Sequence, residues 1–334
     1  MNRPYRKMRL GARIVRPQGR FANRPYFFRA MERGNKKMIK ESKGKITEEF
    51  YALGNPALPS YLLLGDSPVL FDSGMTVMGP LYLQDLKKHL GDPNRLTYLF
   101  LTHSHFDHAG SAPFLKKNLP RLKVAAGKAA ADIFKRPNAI QLIQSLSKPM
   151  EEKMKSQGGD LDVTFHGLEL DRILEDGEEI RLEDETRIQV IATPGHTRDT
   201  VCYYLPKLKA LVGGEAVGTF DRHFNVRPVF LSSYDDYLSS LEKLKRLEMD
   251  LLLLGHFHAL TADAQSMIPK AIEATKAFGR RIESELKAHG ENQEAVVKKI
   301  FQEDYVEKKL INQEERLFLI NLTAQVKAIA ERKK

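Results

Sequence analysis

The sequence predicts a mixed α/β fold of the α+β type, in which two groups of strands flank a helical insert and a helical extension follows. Short apolar runs bounded by turn residues occur in two groups, at residues 60–126 and 170–213. Residues 128–158 between them are helical in character and carry Lys and Glu side chains on one face. From Ala264 onward the pattern is again helical, with Gly290 as the one strong breaker.

The first group of elements becomes regular after Ile46. Its first two apolar runs are separated by the turn sequence Asp66-Ser67-Pro68. A denser apolar run predicts a buried strand that leads directly into a histidine-rich segment. The expected strands are Tyr61–Gly65, Val69–Asp72, Leu96–Thr102 and Leu122–Ala126, and the expected helices are Gly79–Leu90 and Ala112–Leu119.

The second group consists of short β-like runs, followed by an amphipathic helix at Tyr234–Leu247, where Tyr237, Leu241 and Leu244 recur near helical spacing. A short buried strand follows and ends at Gly255-His256. The strands expected here are Glu178–Leu182, Thr186–Ala192, Val201–Leu205, Ala210–Val212 and Leu251–Leu254.

The net charge of +10 belongs to the N-terminus. Residues 1–46 hold 15 Lys/Arg against two acids, whereas the rest of the chain holds 38 Lys/Arg against 41 Asp/Glu. We therefore expect three parts: a basic, poorly ordered arm at 1–46, a folded domain at 47–260 that includes the insert 128–158, and a helical extension at 261–334. Contact of the arm with nucleic acid is the less favoured reading, and the extension is expected to pack on the domain or to form a homodimer.

A reducing compartment is indicated, because Cys202 is the one cysteine and lies in an apolar strand. No stretch approaches the roughly 18 uncharged apolar residues that a bilayer span needs. The basic N-terminus is not followed by the apolar core of a secretory signal. These observations predict a cytoplasmic protein.

Three of the ten histidines fall within six residues, in the run His103-Ser104-His105-Phe106-Asp107-His108. The run follows a buried strand, so that His103 and His105 point the same way and the next turn brings Asp107 and His108 to a second position. Imidazole and carboxylate groups suit zinc, iron or manganese.

Three further strand ends present a residue that can bind metal. His196 follows Thr186–Ala192 in the loop Thr193-Pro194-Gly195, Glu215 follows Ala210–Val212, and His256 follows Leu251–Leu254. Loops on a rigid scaffold commonly gather a site in this way. Together, the four strand ends predict a metal centre.

The pattern His-x-His-x-Asp-His, then His196 in Thr-Pro-Gly-His-Thr, then an acid and a last histidine, resembles the metallo-β-lactamase fold superfamily over about residues 47–260. The resemblance implies a four-layer αββα sandwich with a catalytic domain at 47–260 and two divalent metal ions, preferably zinc, with iron or manganese as alternatives. It implies that His103, His105 and His196 hold one metal and that Asp107, His108 and His256 hold the other. Asp72 in Phe71-Asp72-Ser73-Gly74 resembles an early aspartate that supports the ligand loop without binding metal.

One position departs from the usual pattern of the superfamily. The acid that normally bridges the metals is an aspartate, whereas the matching residue here is Glu215, 19 positions after His196. Because glutamate carries the same carboxylate on one more methylene, we expect it to bridge the metals or to bind one of them. The alternative is a polar turn residue beside a weak second site.

Two other histidines are weaker candidates. His258 competes with His256 as the last ligand, and His256 is preferred because it directly follows Gly255. His223, shortly after Glu215, is a candidate for substrate contact and equally an ordinary loop residue.

The resemblance implies a metal-dependent hydrolase that uses a metal-bound hydroxide on an ester-type bond of a small molecule, namely a thioester, phosphodiester or lactone. Asp107 is expected to orient the nucleophile as well as to bind metal. Two alternatives stay open: a di-iron redox protein, in which Glu usually replaces the second histidine of the first motif, and a metal-binding regulator with little turnover.

Overall fold

The computed structural model describes residues 39–332 and contains two seven-stranded sheets. One sheet has the strand order β2-β3-β4-β5-β6-β7-β8 and the other has the order β1-β16-β15-β12-β11-β10-β9, while β13 and β14 form a separate hairpin. The strands in chain order are β1 (Ile39–Glu41), β2 (Gly44–Lys45), β3 (Phe50–Asn55), β4 (Leu58–Leu63), β5 (Val69–Phe71), β6 (Tyr98–Phe100), β7 (Lys123–Gly127), β8 (Arg172–Leu174), β9 (Glu179–Arg181), β10 (Arg187–Ala192), β11 (Val201–Leu205), β12 (Ala210–Gly214), β13 (Thr219–Phe220), β14 (Val226–Arg227), β15 (Leu251–Leu254) and β16 (His258–Leu260).

Alternation of side chains along the strands produces the layers. In β5, Phe71 packs between the two sheets, whereas its neighbour Leu70 packs on the outer face. In β12, Val212 likewise points between the sheets and Leu211 points outward. Because strand side chains alternate with a period of two, each sheet has two apolar faces that must be covered. The inner faces cover each other, and helices are needed outside.

Helices supply both outer layers. Those before residue 157 pack on the sheet that contains β5, and those after residue 233 pack on the sheet that contains β12. The helices are α1 (Gly79–Leu90), α2 (Phe106–Ala109), α3 (Ala112–Asn118), α4 (Lys128–Ile133), α5 (Pro137–Ser156), α6 (Tyr234–Leu244), α7 (Met267–Ala288), α8 (Gln293–Phe301), which continues into a π-helical turn at Gln302–Glu307, and α9 (Glu315–Glu331). The predicted four-layer αββα sandwich is therefore confirmed.

Most of the predicted arm, residues 1–38, lies outside the described residues. Its last eight residues do not form an arm. Ile39–Glu41 pairs antiparallel with β16, and Ile46 is buried in the core between the sheets. The boundary predicted at residue 46 was therefore placed too late, because Lys40, Lys43 and Lys45 made this segment resemble a continuation of the basic arm.

The structure contains both regions that were predicted to be helical beyond the sandwich. Residues 128–158 form α4 and α5, and residues 261–334 form α7 to α9 over the part described. Within residues 39–332, no helix combines the length and apolar character that a bilayer crossing requires.

Candidate metal centre

Parallel pairing brings the functional loops to one edge of the sandwich. β5 pairs in parallel with β6, and β12 pairs in parallel with β15. The carboxyl ends of parallel neighbours lie at the same edge of a sheet. The loops that follow these four strands carry Asp72, the His103–His108 run, Glu215 and His256.

Seven of the residues singled out in the sequence meet at this edge. Each of two groups has its potential ligand atoms within 4.8 Å of one another. The first group consists of His103, His105, His196 and Glu215, and the second consists of Asp107, His108 and His256. Both groups combine imidazole nitrogens with carboxylate oxygens, which is the donor set of zinc and related divalent metals.

The Glu215 carboxylate contacts both groups. Its Oε2 atom lies 2.8 Å from His196 Nε2 and 3.4 Å from His103 Nε2, both in the first group. The same oxygen is 3.6 Å from His108 Nε2, and Oε1 is 3.3 Å from His256 Nε2. The extra methylene of glutamate therefore does not carry the carboxylate away from the centre.

Hydrogen-bond acceptors fix the orientation of three imidazoles. The Nδ1 atom of His196 donates to the Val229 carbonyl at 2.6 Å, and that of His256 donates to the Ala57 carbonyl at 2.8 Å. His108 Nδ1 lies 2.9 Å from Asp72 Oδ2. Because carbonyls and carboxylates only accept, each ring in its neutral form carries its proton on Nδ1 and leaves the Nε2 lone pair for a metal.

His103 is oriented through a hydroxyl. Thr102 Oγ1 donates to the Asp72 carboxylate at 2.9 Å and lies 2.9 Å from His103 Nδ1. Since its proton is used on Asp72, the hydroxyl accepts the proton of His103 Nδ1. Asp72 Oδ1 also accepts the Thr102 N–H at 2.8 Å.

Two nitrogens at the centre have no hydrogen-bond partner within the described part of the chain. His103 Nε2 and His108 Nε2 are buried and make no hydrogen bond. An unsatisfied polar group in the interior costs free energy unless something binds it. Two such lone pairs facing one carboxylate fit a bound divalent cation.

The charges of the centre are strongly coupled. Although burial raises the pKa of the Glu215 carboxyl, His196 and His256 hold it well below its usual range. Burial lowers the pKa of His256, but the Glu215 and Asp107 carboxylates outweigh burial and raise this pKa to about 9. Burial and the neighbouring His108 and His105 lower the pKa of His103 well below its usual value. Without metal, Glu215 is therefore ionised and His256 is protonated near neutral pH.

The loop of His196 needs its glycine. Gly195 has φ 132°, and a Cβ atom there would lie 2.4 Å from the backbone of Tyr237 in α6. The Gly195 carbonyl accepts hydrogen bonds from the backbone of Ser232, and Ser240 of α6 donates to the Pro194 carbonyl at 2.8 Å. The loop is therefore held between α6 and the segment before it.

The two weaker candidates lie outside both ligand groups. The His258 ring packs against Phe220 and Phe224, and burial lowers its pKa to about 4. His223 is exposed, and its backbone N–H donates to Asp221.

Sequence reasoning missed several groups that contact the centre. Asp199 is buried and accepts the Ser104 N–H at 2.7 Å, which fixes the backbone between His103 and His105. Its position three residues after His196 was a signal that could have identified it. The carbonyls of Val229 and Ala57 had no such signal, because every residue carries a backbone acceptor.

Comparison with known proteins places this site in a family. The sequence model described as the metallo-beta-lactamase superfamily matches residues 58–256, which is more than half of the chain. The acyl-coenzyme A thioesterase MBLAC2 of Homo sapiens is 26% identical over 230 residues, covering 65% of this chain and 79% of that protein. Diflavin flavoprotein A 1 of Synechocystis sp. is 30% identical over 112 residues, covering 34% of this chain and 18% of that protein.

A solved structure supports the fold. The metallo-beta-lactamase family protein TTHA1429 from Thermus thermophilus aligns with a TM-score of 0.61 at 19% identity, covering 86% of this chain and 95% of that one. The match of the family model and the αββα fold agree with each other. This chain belongs to the metallo-beta-lactamase superfamily.

Proposed function

We propose that this chain hydrolyses an ester-type bond of a small molecule, with a thioester as the preferred substrate class. The observation that carries the proposal is the convergence of two histidine–carboxylate groups on the Glu215 carboxylate. The thioester class is supported by the similarity to the human protein named as an acyl-coenzyme A thioesterase.

The proposed centre would hold two divalent ions, with zinc as the metal. His103, His105 and His196 would hold one ion, and Asp107, His108 and His256 would hold the other, with Glu215 shared between them. When bound, such ions lower the pKa of water and polarise the electrophile. Asp72 lies outside both ligand groups and orients His108.

Exposure indicates the side from which the substrate approaches. The His105 side chain is 36% exposed, and those of Asp107 and His256 are each 17% exposed, whereas His103 is fully buried. The substrate therefore reaches the centre across His105, Asp107 and His256. Asp107 is the carboxylate on this open side, and we assign it the role of orienting the attacking water and accepting its proton.

Hydrolysis of a thioester requires few proton-transferring groups at this site. Water adds its oxygen to the acyl carbon, the C–S bond breaks, and the thiolate leaves with the bond pair. Because thiols have pKa values near 8.5, the thiolate departs without full protonation. One carboxylate that receives a proton from water and later releases it is sufficient, and Asp107 fits that role.

The redox alternative is favoured by one observation, the similarity to a diflavin flavoprotein over 112 residues. His105 supports hydrolysis instead, because its Nδ1 atom is 3.2 Å from His196 Nε2 and completes a three-histidine group. Metal analysis of the purified protein separates the two functions, since hydrolysis predicts zinc and the alternative predicts iron with oxygen consumption.

The proposed function is tested with His105→Ala. Loss of a ligand that contributes several kcal/mol to the transition state is expected to lower kcat/KM at least about a thousand-fold on a thioester. Acyl-coenzyme A, bis-p-nitrophenyl phosphate and a lactone are assayed in parallel with wild-type protein, and His166→Ala serves as the control because His166 is exposed and outside the centre. Thioester turnover that survives in His105→Ala contradicts the proposal.

Zinc binding is expected to release at least about one proton per protein at pH 7.5. His256 has a folded-state pKa raised to about 9, so it is protonated at this pH, and it must lose its proton to bind metal. Apparent zinc affinity should therefore rise with pH up to about 9. Calorimetric titration in buffers of different ionisation enthalpy measures the released proton, and a binding enthalpy independent of buffer is the contrary result.

A further inference from the structure

The C-terminal helical extension contacts the segment that follows Glu215 through hydrogen bonds and an ion pair. The backbone N–H of Arg222 donates to the Leu310 carbonyl at 2.9 Å, and its Nε atom donates to the Ile311 carbonyl at 3.0 Å. Arg227 lies 3.5 Å from Asp304 and stacks over the Phe318 ring of α9 at 5.3 Å. The extension is therefore attached to the β13–β14 hairpin from several sides.

A further contact of the extension leads to the metal centre through two hydrogen bonds. Gln325 of α9 donates from Nε2 to the Pro228 carbonyl at 2.9 Å. The next residue is Val229, whose carbonyl accepts the Nδ1 proton of His196 at 2.6 Å. The Pro228 carbonyl lies in the peptide plane that ends at the Val229 Cα, so fixing this carbonyl anchors the backbone on one side of Val229, and only the φ and ψ of Val229 separate that plane from the Val229 carbonyl.

Gln325 is polar in an apolar environment. It is 3% exposed, and its neighbours on the same helix face, Leu322, Val326 and Ile329, are fully buried. Burying an amide costs free energy unless it is hydrogen-bonded, so packing alone favours an apolar residue at this position. The hydrogen bond to Pro228 gives Gln325 a role that an apolar side chain cannot fill.

The neighbouring backbone is organised around His196 as well. The N–H groups of Leu231 and Ser232 donate to the carbonyl oxygens of Gly195 and His196 at 3.0–3.2 Å. Pro228 and Phe230 are buried on either side of Val229. The segment therefore contacts the ligand loop through its backbone and the extension through the Pro228 carbonyl.

We propose that Gln325 is a positioning residue for the metal centre, through which the C-terminal extension holds the Val229 carbonyl against His196. The proposal rests on the proposed metal ligation by His196. Groups that orient a ligating histidine typically contribute 10–100-fold to metal affinity. Because Gln325 acts one peptide further away, an effect of roughly tenfold is expected, at the low end of that range.

The test compares Gln325→Met with Val326→Ala. Methionine keeps the length and volume of the side chain but cannot donate, whereas Val326→Ala removes buried apolar atoms from the adjacent position of α9. Zinc affinity of metal-stripped, full-length protein is measured by competition with a chromophoric chelator. The visible absorption of the cobalt-substituted protein reports the ligand geometry.

Gln325→Met is expected to weaken zinc binding roughly tenfold and to shift the cobalt absorption band. Val326→Ala is expected to lower the melting temperature and to leave affinity and spectrum at their wild-type values below that temperature. Gln325→Asn, which pulls the amide back by one methylene, should reproduce the Met result and replaces it if the Met variant does not fold. Two results overturn the proposal. One is wild-type zinc affinity and a wild-type cobalt spectrum in the folded Gln325 variants. The other is a Val326→Ala variant that loses as much zinc affinity as Gln325→Met and shows the same shift of the cobalt band.

His196→Ala separates this inference from the function on which it rests. If wild-type protein and His196→Ala bind zinc equally, the proposed metal centre is wrong. If His196→Ala loses zinc and the Gln325 variants bind normally, the centre stands and the role of Gln325 is wrong.

Discussion

Replacing Glu215 with glutamine is expected to lower kcat at least about a thousand-fold and to leave the purified protein with less than its full complement of metal. The carboxylate lies 2.8 Å from His196 Nε2 in one ligand group and 3.3 Å from His256 Nε2 in the other. Glutamine has nearly the same shape but no charge, so the substitution removes the anion that both groups share. Metal content by elemental analysis and kcat on a thioester measure the effect.

Glu215→Asp is the matched variant, because it keeps the charge and shortens the side chain by one methylene. Aspartate is also the residue that the superfamily resemblance leads one to expect at this position. We expect Glu215→Asp to keep both metals and to lose about tenfold or less in kcat. Full metal content and turnover in Glu215→Gln would show instead that Glu215 is a polar turn residue.

Many of the strands and helices were predictable because they depend on local patterns, whereas the four-layer arrangement was implied by the family resemblance. Helix α1 begins and ends at the predicted residues, since Gly79-Pro80 favours a helix start and Gly91 adopts φ 76° at its end. Strand β3 was missed, because Phe50–Asn55 lacks a clean alternation and contains Gly54 at φ 75°. Its identity as a strand depends on pairing with β4, which a local pattern does not contain.

The candidate site was predictable to the extent that its residues are rare and chemically distinctive. Histidines and acids at strand ends can be recognised from residue type and spacing, and all seven potential ligands converge. The groups that orient them cannot be recognised in this way, because Val229 and Ala57 act through their carbonyls. Gln325 is 97 positions from its acceptor and looks like an ordinary helix residue until tertiary packing buries it.

Asp72 is the buried residue outside the two ligand groups whose loss should affect the centre most. Its Oδ2 atom is 2.9 Å from His108 Nδ1 and 2.9 Å from the Thr102 hydroxyl, and its Oδ1 atom accepts the Thr102 N–H. The residue has φ 60°, a left-handed conformation that asparagine also tolerates. Asp72→Asn therefore changes the hydrogen bonding without adding backbone strain.

Asp72→Asn is expected to weaken zinc binding about 10–100-fold and to lower kcat by a similar factor. The amide NH₂ can donate to His108 Nδ1, which moves the imidazole proton to Nε2 and removes the lone pair needed for metal. If the amide turns its oxygen to His108 instead, a Thr102 donor loses its acceptor, at a cost of about 1–3 kcal/mol. Chelator competition and thioester turnover measure both quantities.

Asp184→Asn is the control for this substitution, because Asp184 accepts backbone N–H groups of Ser67 and Thr186 away from the centre. It should leave zinc affinity unchanged. Wild-type zinc affinity in Asp72→Asn would mean that the tautomer of His108 is fixed by the metal itself. In that case the buried Asp72 carboxylate would stabilise the loop that begins at Thr102 and would contribute nothing to metal binding.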